Sequence, residues 1–301
     1  MIQDQPAFFA FVVPRKRKVK RRQPSVRPRS PSNRWLVAFA AVAVGVLVLW
    51  TVISSGNMGA SMVQPGALSV DLLRVEILRE IVHDTTAYTQ GLLWRDGWLY
   101  ESTGQYGQSR LRRIDPKDGT VVQEIYTPPA FFGEGLATVG SHLIMLTWKA
   151  ERAFSYDVAS FEPVQTFRYR GEGWGLCHDG DQDRLIMSNG SDSLSFRDPK
   201  TFEQRGAIRV KLRNRPLFQL NELACVGGLV YANVYQEQYL VAIDPETGQV
   251  TYQIDASGLL TAAEARNADV LNGIAYDPSS ETFYITGKLW PKMFEVRFVS
   301  R

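Results

Sequence analysis

Beyond residue 70 the chain alternates short runs of Val, Ile, Leu and Tyr with polar residues, and the runs stop at Gly or Asp-Pro. Period-two alternation in runs of this length reads as β-strand, and no long helical periodicity breaks it until about residues 257–268. The strands repeat. "QGLLWRDGWLYEST", "EGLATVGSHLIMLTW", "WGLCHDGDQDRLIMSNG", "NELACVGGLVYANVY" and "NGIAYDPSSETFYITG" open at residues 90, 134, 174, 221 and 272, at intervals of 44, 40, 47 and 51. Each opening leads to a turn and a second strand. A third strand then runs into Asp-Pro or a variant, as in "LRRIDPKDGTVV" and "YLVAIDPETGQV". Four short strands per period of about this length are the signature of a propeller blade.

The last copy stops one strand early, and "LLRVEILREI" at residues 72–81 can supply the missing strand. The expected fold is therefore an all-β, five-bladed β-propeller closed by its N-terminal strand, which leaves no blade edge unpaired. A β-sandwich predicts neither the recurring openings nor a truncated final unit.

Ahead of the propeller lies a different pattern. Residues 35–53 carry no charge, a length sufficient to cross a bilayer's hydrocarbon core. Residues 1–34 carry a net charge of +9, whereas the rest carries −6. The mildly acidic body argues against a nucleic-acid surface there. The expected organisation is a basic disordered cytoplasmic arm at 1–34, a transmembrane signal-anchor helix at 35–54, a linker at 55–69 and the propeller at 70–301. Basic residues before the span predict a single-pass cell-membrane protein with a cytoplasmic N-terminus and a periplasmic or extracellular body. A cleaved signal peptide is the rival reading. Two cysteines, Cys177 and Cys225, fit either a disulfide or two buried thiols, and the sequence leaves oligomeric state open.

First strands line the channel of a propeller, so their opening residues converge. Here these are Gln90, Glu134, Trp174, Asn221 and Asn272, with Glu222 following. Amides, carboxylates and an indole at one mouth suit a ligand or catalytic site better than packing. Glu134, between two glycines and near Phe131, Phe132 and Trp174, is the acid/base candidate, because desolvation raises a carboxyl's proton affinity. A carboxylate accepting backbone N–H bonds is the bland alternative. Glu172 repeats the Gly-Glu-Gly pattern and is assigned to a loop. Trp148 and Tyr235 end second strands and either rim the pocket or pack between blades. Lys288, after Gly287, is either an oxyanion donor or a solvated loop lysine. The three histidines lack metal-ligand spacing, and no nucleophile elbow or phosphate loop is present.

The stretches "HDTTAYTQGLLW", "LYESTGQYGQSRLRRID", "FFGEGLA", "GEGWGLCHDG", "LNELACVGGLVYANVY", "DVLNGIAYD" and "FYITGKLWPKMFEV" occur in order over residues 74–299. In these the chain resembles the glutamine cyclotransferase family, the five-bladed glutaminyl-peptide cyclotransferases of plants and bacteria. The resemblance implies conversion of N-terminal glutamine of peptides or proteins to pyroglutamate with loss of ammonia. It implies Glu134 as proton shuttle, Lys288 as second catalytic residue, and Gln90, Trp174, Asn221 and Tyr235 as substrate-binding residues. No cofactor is required for that chemistry, and a structural calcium in the channel is compatible with it. Tyr235 departs from the family, which often has tryptophan there, and the chain lacks the basic residue that some members carry before "LNEL". Two other classes remain open on the residues: a non-catalytic propeller that binds peptides or glycans, and a metal-dependent, lactonase-like propeller hydrolase.

Overall fold

The computed structural model describes residues 69–301; the arm at 1–34, the apolar run at 35–54 and the linker up to residue 68 lie outside the described residues. Among the described residues no helix is long and apolar enough to cross a membrane. Strands joined by turns make up most of them, and the segment 257–268 contributes a single 3-10 turn, Glu264–Arg266.

After a leading strand, β1 (Asp71–Val82), come sheets of sequence-consecutive antiparallel strands. The first holds β2 (Thr89–Arg95), β3 (Trp98–Thr103), β4 (Arg110–Ile114) and β5 (Val121–Tyr126). The second holds β6 (Gly133–Val139), β7 (His142–Thr147), β8 (Arg152–Asp157) and β9 (Pro163–Arg168). The third holds β10 (Leu176–Asp179), β11 (Arg184–Met187), β12 (Ser193–Arg197) and β13 (Gln204–Arg209). A small hairpin, β14 (Lys211–Leu212) with β15 (Arg215–Pro216), leads to the fourth group: β16 (Leu220–Val226), β17 (Leu229–Val234), β18 (Tyr239–Ile243) and β19 (Val250–Asp255). The last group is β20 (Leu271–Asp277), β21 (Thr282–Gly287) and β22 (Lys292–Ser300).

β1 does more than complete the last group. It pairs antiparallel with β22 along its length, and its first residues, Asp71–Arg74, also pair in parallel with Tyr252–Asp255 of β19. The fourth and fifth groups are thereby joined into one eight-stranded sheet. At 12 residues, β1 is about twice as long as most of the other strands, and the excess at its start is what reaches the neighbouring edge.

The inner strands close a circle: β2 touches β6 and β20, β10 touches β6 and β16, and β16 touches β20. The apolar core follows the same plan. It divides into clusters at the seams, such as Leu136, Leu143, Tyr100 and Leu111 between the first and second sheets. Ile81, Leu92, Leu99, Tyr284 and Met293 close the seam between the last group and the first. The arrangement is propeller-like. Cys177 of β10 and Cys225 of β16 form a disulfide across the seam between the third and fourth groups.

Glycine at the second position of four openings has a steric cause. A Cβ on Gly135 would lie 2.5 Å from the Leu176 nitrogen, and one on Gly175 would lie 2.0 Å from the Asn221 carbonyl oxygen. The inner strands approach too closely for a side chain there. The fourth opening alone has a side chain at this place, Glu222, which is fully buried. Its Oε1 accepts the Leu92 N–H of β2 at 3.0 Å.

Candidate active site

Four of the five inner strands begin with a register shift: at Thr89/Gly91, Gly133/Leu136, Leu220/Leu223 and Leu271/Ile274. Gln90, Glu134, Asn221 and Asn272 all fall inside these bulges. A bulge adds a residue on one strand and re-aims its side chain. The fifth inner strand starts only at Leu176, so Trp174 precedes it in a loop. Tyr235 directly follows β17 and Lys288 directly follows β21.

These elements enclose a cavity of about 260 Å³. Gln90, Glu134, Trp174, Asn221, Tyr235 and Lys288 all line it, together with Tyr88, Gln105, Phe132 and Trp148. The six residues expected to act in catalysis or substrate binding are thus brought to one chamber. Asn272 is not in the wall. Its Nδ2 donates to the Thr89 and Gln90 carbonyls at 3.1 and 3.2 Å, fixing the bulge that carries Gln90. Phe131 also lies apart, edge-on against Phe154 at 4.8 Å, so Phe132 and Trp174 supply the apolar frame near Glu134. Tyr88 and Gln105 carried no assignment from the sequence. Tyr88 had one available signal, its place two residues before Gln90.

Glu134 is 4 % exposed, and its Oε1 accepts a hydrogen bond from Gln90 Nε2 at 3.0 Å. Burial pushes its proton affinity well above the ordinary carboxyl range, opposed by the charge of Lys288 and reinforced by that of Glu172. Lys288 is equally buried, and its pKa is lowered by desolvation, against the pull of Glu134 and Asp269. Its Nζ lies 4.8 Å from the centre of the Tyr88 ring and 5.2 Å from that of Tyr235. Two phenol faces therefore hold the amine, an arrangement that favours its charged form. The Lys288 backbone is pinned on both sides: its N–H donates to Val270 O at 2.9 Å and its carbonyl accepts from Asp269 N at 2.8 Å.

Below the chamber a buried polar network locks the first sheet to the last. His83 lies 2.9 Å from Glu101 Oε1 through Nε2 and 2.9 Å from the Trp290 carbonyl through Nδ1. Thr89 Oγ1 donates to Glu101 Oε1 at 2.6 Å, and Arg112 forks onto Glu101 Oε2. The β2 bulge bearing Gln90 and the loop bearing Lys288 are tied to the same carboxylate, the first through Thr89 and the second by way of His83.

Among the described residues, no three His, Cys, Asp or Glu side chains converge as metal ligands. A structural calcium in the channel stays compatible with the residues there: backbone amides face the Glu222 carboxylate, yet Glu222 Oε2, Asn221 Oδ1 and Asn272 Oδ1 are buried oxygens without a hydrogen-bond partner among the described residues. Calcium takes six to eight oxygens.

A chamber with one proton-prone carboxyl, one caged amine and aromatic walls, at the mouth of a propeller-like ring, defines an enzyme site for a small apolar-stemmed group bearing an amide or a carbonyl. Comparisons with known proteins agree. The glutamine cyclotransferase family pattern matches residues 47–298. A glutaminyl-peptide cyclotransferase of Arabidopsis thaliana is 36% identical over 236 residues, covering 76% of this chain and 73% of its own. The crystal structure of Myxococcus xanthus glutaminyl cyclase superposes with a TM-score of 0.70 at 39% identity, covering 77% of this chain and all of that one. The chain belongs to the glutamine cyclotransferase family.

Proposed function

We propose that this protein converts N-terminal glutaminyl residues of peptides or proteins to pyroglutamate, releasing ammonia. The observation that carries the reading is the meeting of Glu134, Lys288, Gln90, Asn221, Trp174 and Tyr235 in one chamber. The reaction is intramolecular: the substrate's α-amine attacks its own γ-amide carbonyl. Aligning the two ends contributes several kcal/mol, by the general advantage of holding reactants in place.

In this mechanism Trp174 and Tyr235 wall the methylenes, while Gln90 and Asn221 hold the amide and the first peptide group. The neutral amine forms the new C–N bond, and the carbonyl oxygen takes the negative charge facing Lys288. Ionised Glu134 accepts the proton from the attacking nitrogen and passes it to the γ-nitrogen. The oxyanion then collapses, the old C–N bond breaks and ammonia leaves. A carboxyl whose proton affinity is raised toward neutrality suits both halves of that transfer. No covalent enzyme intermediate and no cofactor are needed.

The same reading takes the fold as a five-bladed propeller closed by its N-terminal strand. It takes residues 1–34 as a cytoplasmic arm, 35–54 as the membrane anchor and 55–69 as the linker. The uncharged run at 35–53 supports it, as does the Cys177–Cys225 disulfide, a bond typical of oxidising compartments outside the cytoplasm.

The test is an ammonia-coupled assay on a Gln-initiated dipeptide, with and without chelator. The expected result is one ammonia per pyroglutamyl product at a chelator-independent rate. Binding without ammonia release would indicate a binding propeller, and loss of turnover with chelator would indicate metal-dependent chemistry.

A further inference from the structure

The two indoles of the chamber wall share one acceptor. Trp148 Nε1 donates to Glu172 Oε2 at 2.8 Å, and Trp174 Nε1 donates to the same oxygen at 3.0 Å. Trp148 follows the second strand of the second sheet, and Trp174 precedes the first strand of the third. One carboxylate therefore joins wall residues from two sheets. The other Glu172 oxygen, Oε1, lies 3.6 Å from Lys149 Nζ, which sits 3.8 Å from the centre of the Trp148 ring. An indole N–H can only donate, so the position of its acceptor constrains the plane of the ring. The backbone adds fixed points: Gly173 N donates to Trp148 O at 3.0 Å, and a Cβ on Gly190 would lie 2.6 Å from the Trp174 ring. The wall continues on either side, from Trp148 to Phe132 at 5.6 Å and from Trp174 to Tyr235 at 5.7 Å between ring centres.

We propose that Glu172 is a positioning residue of this site: its shared oxygen sets the planes of Trp148 and Trp174, and with them the width of the slot that receives the substrate side chain. The proposal rests on the cyclase reading for its substrate but not for its geometry. Glu172 touches no reacting atom. The indole bonds and Lys149 keep its carboxyl below the ordinary range despite partial burial, so it holds the rings as an ionised acceptor.

Three variants test this. Glu172→Ala leaves both indole donors without their acceptor and is expected to raise KM for a Gln-initiated dipeptide about tenfold or more, with kcat within about threefold. Glu172→Gln retains one carbonyl oxygen for the indoles and is expected to restore KM to within about threefold of wild type. Lys149→Ala removes a half-exposed ion pair and is expected to leave KM within about twofold. Tryptophan emission reads the wall without turnover: the alanine variant should shift its maximum and become more open to acrylamide quenching, and the glutamine variant should not. An unchanged KM and unchanged emission in Glu172→Ala overturn the proposal. So does a Glu172→Gln enzyme as impaired as the alanine one, or a loss confined to kcat. If the wild type releases no ammonia, the cyclase reading fails, while the emission comparison still decides whether Glu172 sets the rings.

Discussion

Gln90 and Glu134 meet across the seam between the first two sheets, the Gln90 amide donating from Nε2 to Glu134 Oε1 at 3.0 Å. The Gln90 side chain is oriented in turn by Asn272, whose Nδ2 lies 3.4 Å from Gln90 Oε1. One oxygen of the Glu134 carboxyl is thus held by an amide that does not ionise at neutral pH. The carboxyl keeps its place while its protonation state changes.

Glu134→Gln preserves shape and an acceptor for Gln90 but removes the titrating group. Turnover should fall about 10²–10⁴-fold, the usual value of general acid–base catalysis, with substrate affinity nearly intact. Steady-state kinetics and calorimetric titration with a Gln-initiated dipeptide check both halves. Comparable kcat values for variant and wild type would remove Glu134 from the role.

The pH dependence follows from burial. The folded Glu134 carboxyl binds its proton more tightly than the unfolded one, whose pKa is 4.5. With ionised Glu134 as the proposed base, the acid limb of kcat/KM should lie clearly above the ordinary carboxyl range. For stability the sign is opposite to that of a salt-bridged acid. Between 4.5 and the raised folded value the native state holds the extra proton, so this group's contribution is lost as pH rises through that window. Glu134→Gln should accordingly gain Tm relative to wild type as pH increases. A Tm difference that stays flat from pH 4 to 9 contradicts the raised affinity.

Lys288 faces Glu134 from the opposite end of the chain, caged by Tyr88 and Tyr235. Lys288→Ala should lower kcat/KM about 10²-fold or more, the scale of losing one oxyanion donor. Tyr235→Trp keeps a ring beside the ammonium and should retain most activity. An unchanged kcat/KM in Lys288→Ala assigns the oxyanion to other donors.

Arg112 and Glu101 are fully buried and paired, with His83 and Thr89 on the second oxygen. The partners hold the Glu101 carboxyl far below its ordinary range although burial opposes them. Its stabilising contribution is therefore present above the unfolded value of 4.5 and is lost as pH falls. Arg112→Ala strands a buried charge and should cost about 3–5 kcal/mol in urea-unfolding experiments at neutral pH. The gap should narrow toward pH 3, where the unfolded carboxyl is protonated; a gap that does not narrow rules out this coupling.

The sequence by itself determined the repeat, the all-β class and the identity of the reactive groups. A period of about 45 residues and the Gly-flanked openings are local facts, written in backbone preference and hydrophobic alternation. They were enough to gather Gln90, Glu134, Trp174 and Asn221 at one mouth, whereas Tyr235 and Lys288 were assigned through the family resemblance. Tertiary structure decided the rest. Gln90 and Lys288 lie nearly 200 residues apart and become neighbours only because the inner strands close a circle. The aim of the opening side chains depends on bulges, which arise from pairing between strands and leave no mark in periodicity. Phe131 and Phe132 are adjacent and look alike in the sequence, yet one packs on Phe154 and the other lines the chamber. The pairing of Cys177 with Cys225, the second edge taken by β1 and the shared bond of Glu172 to two indoles are likewise contacts between distant segments. Their geometry is fixed by the distance between sheets, a quantity that no stretch of sequence contains.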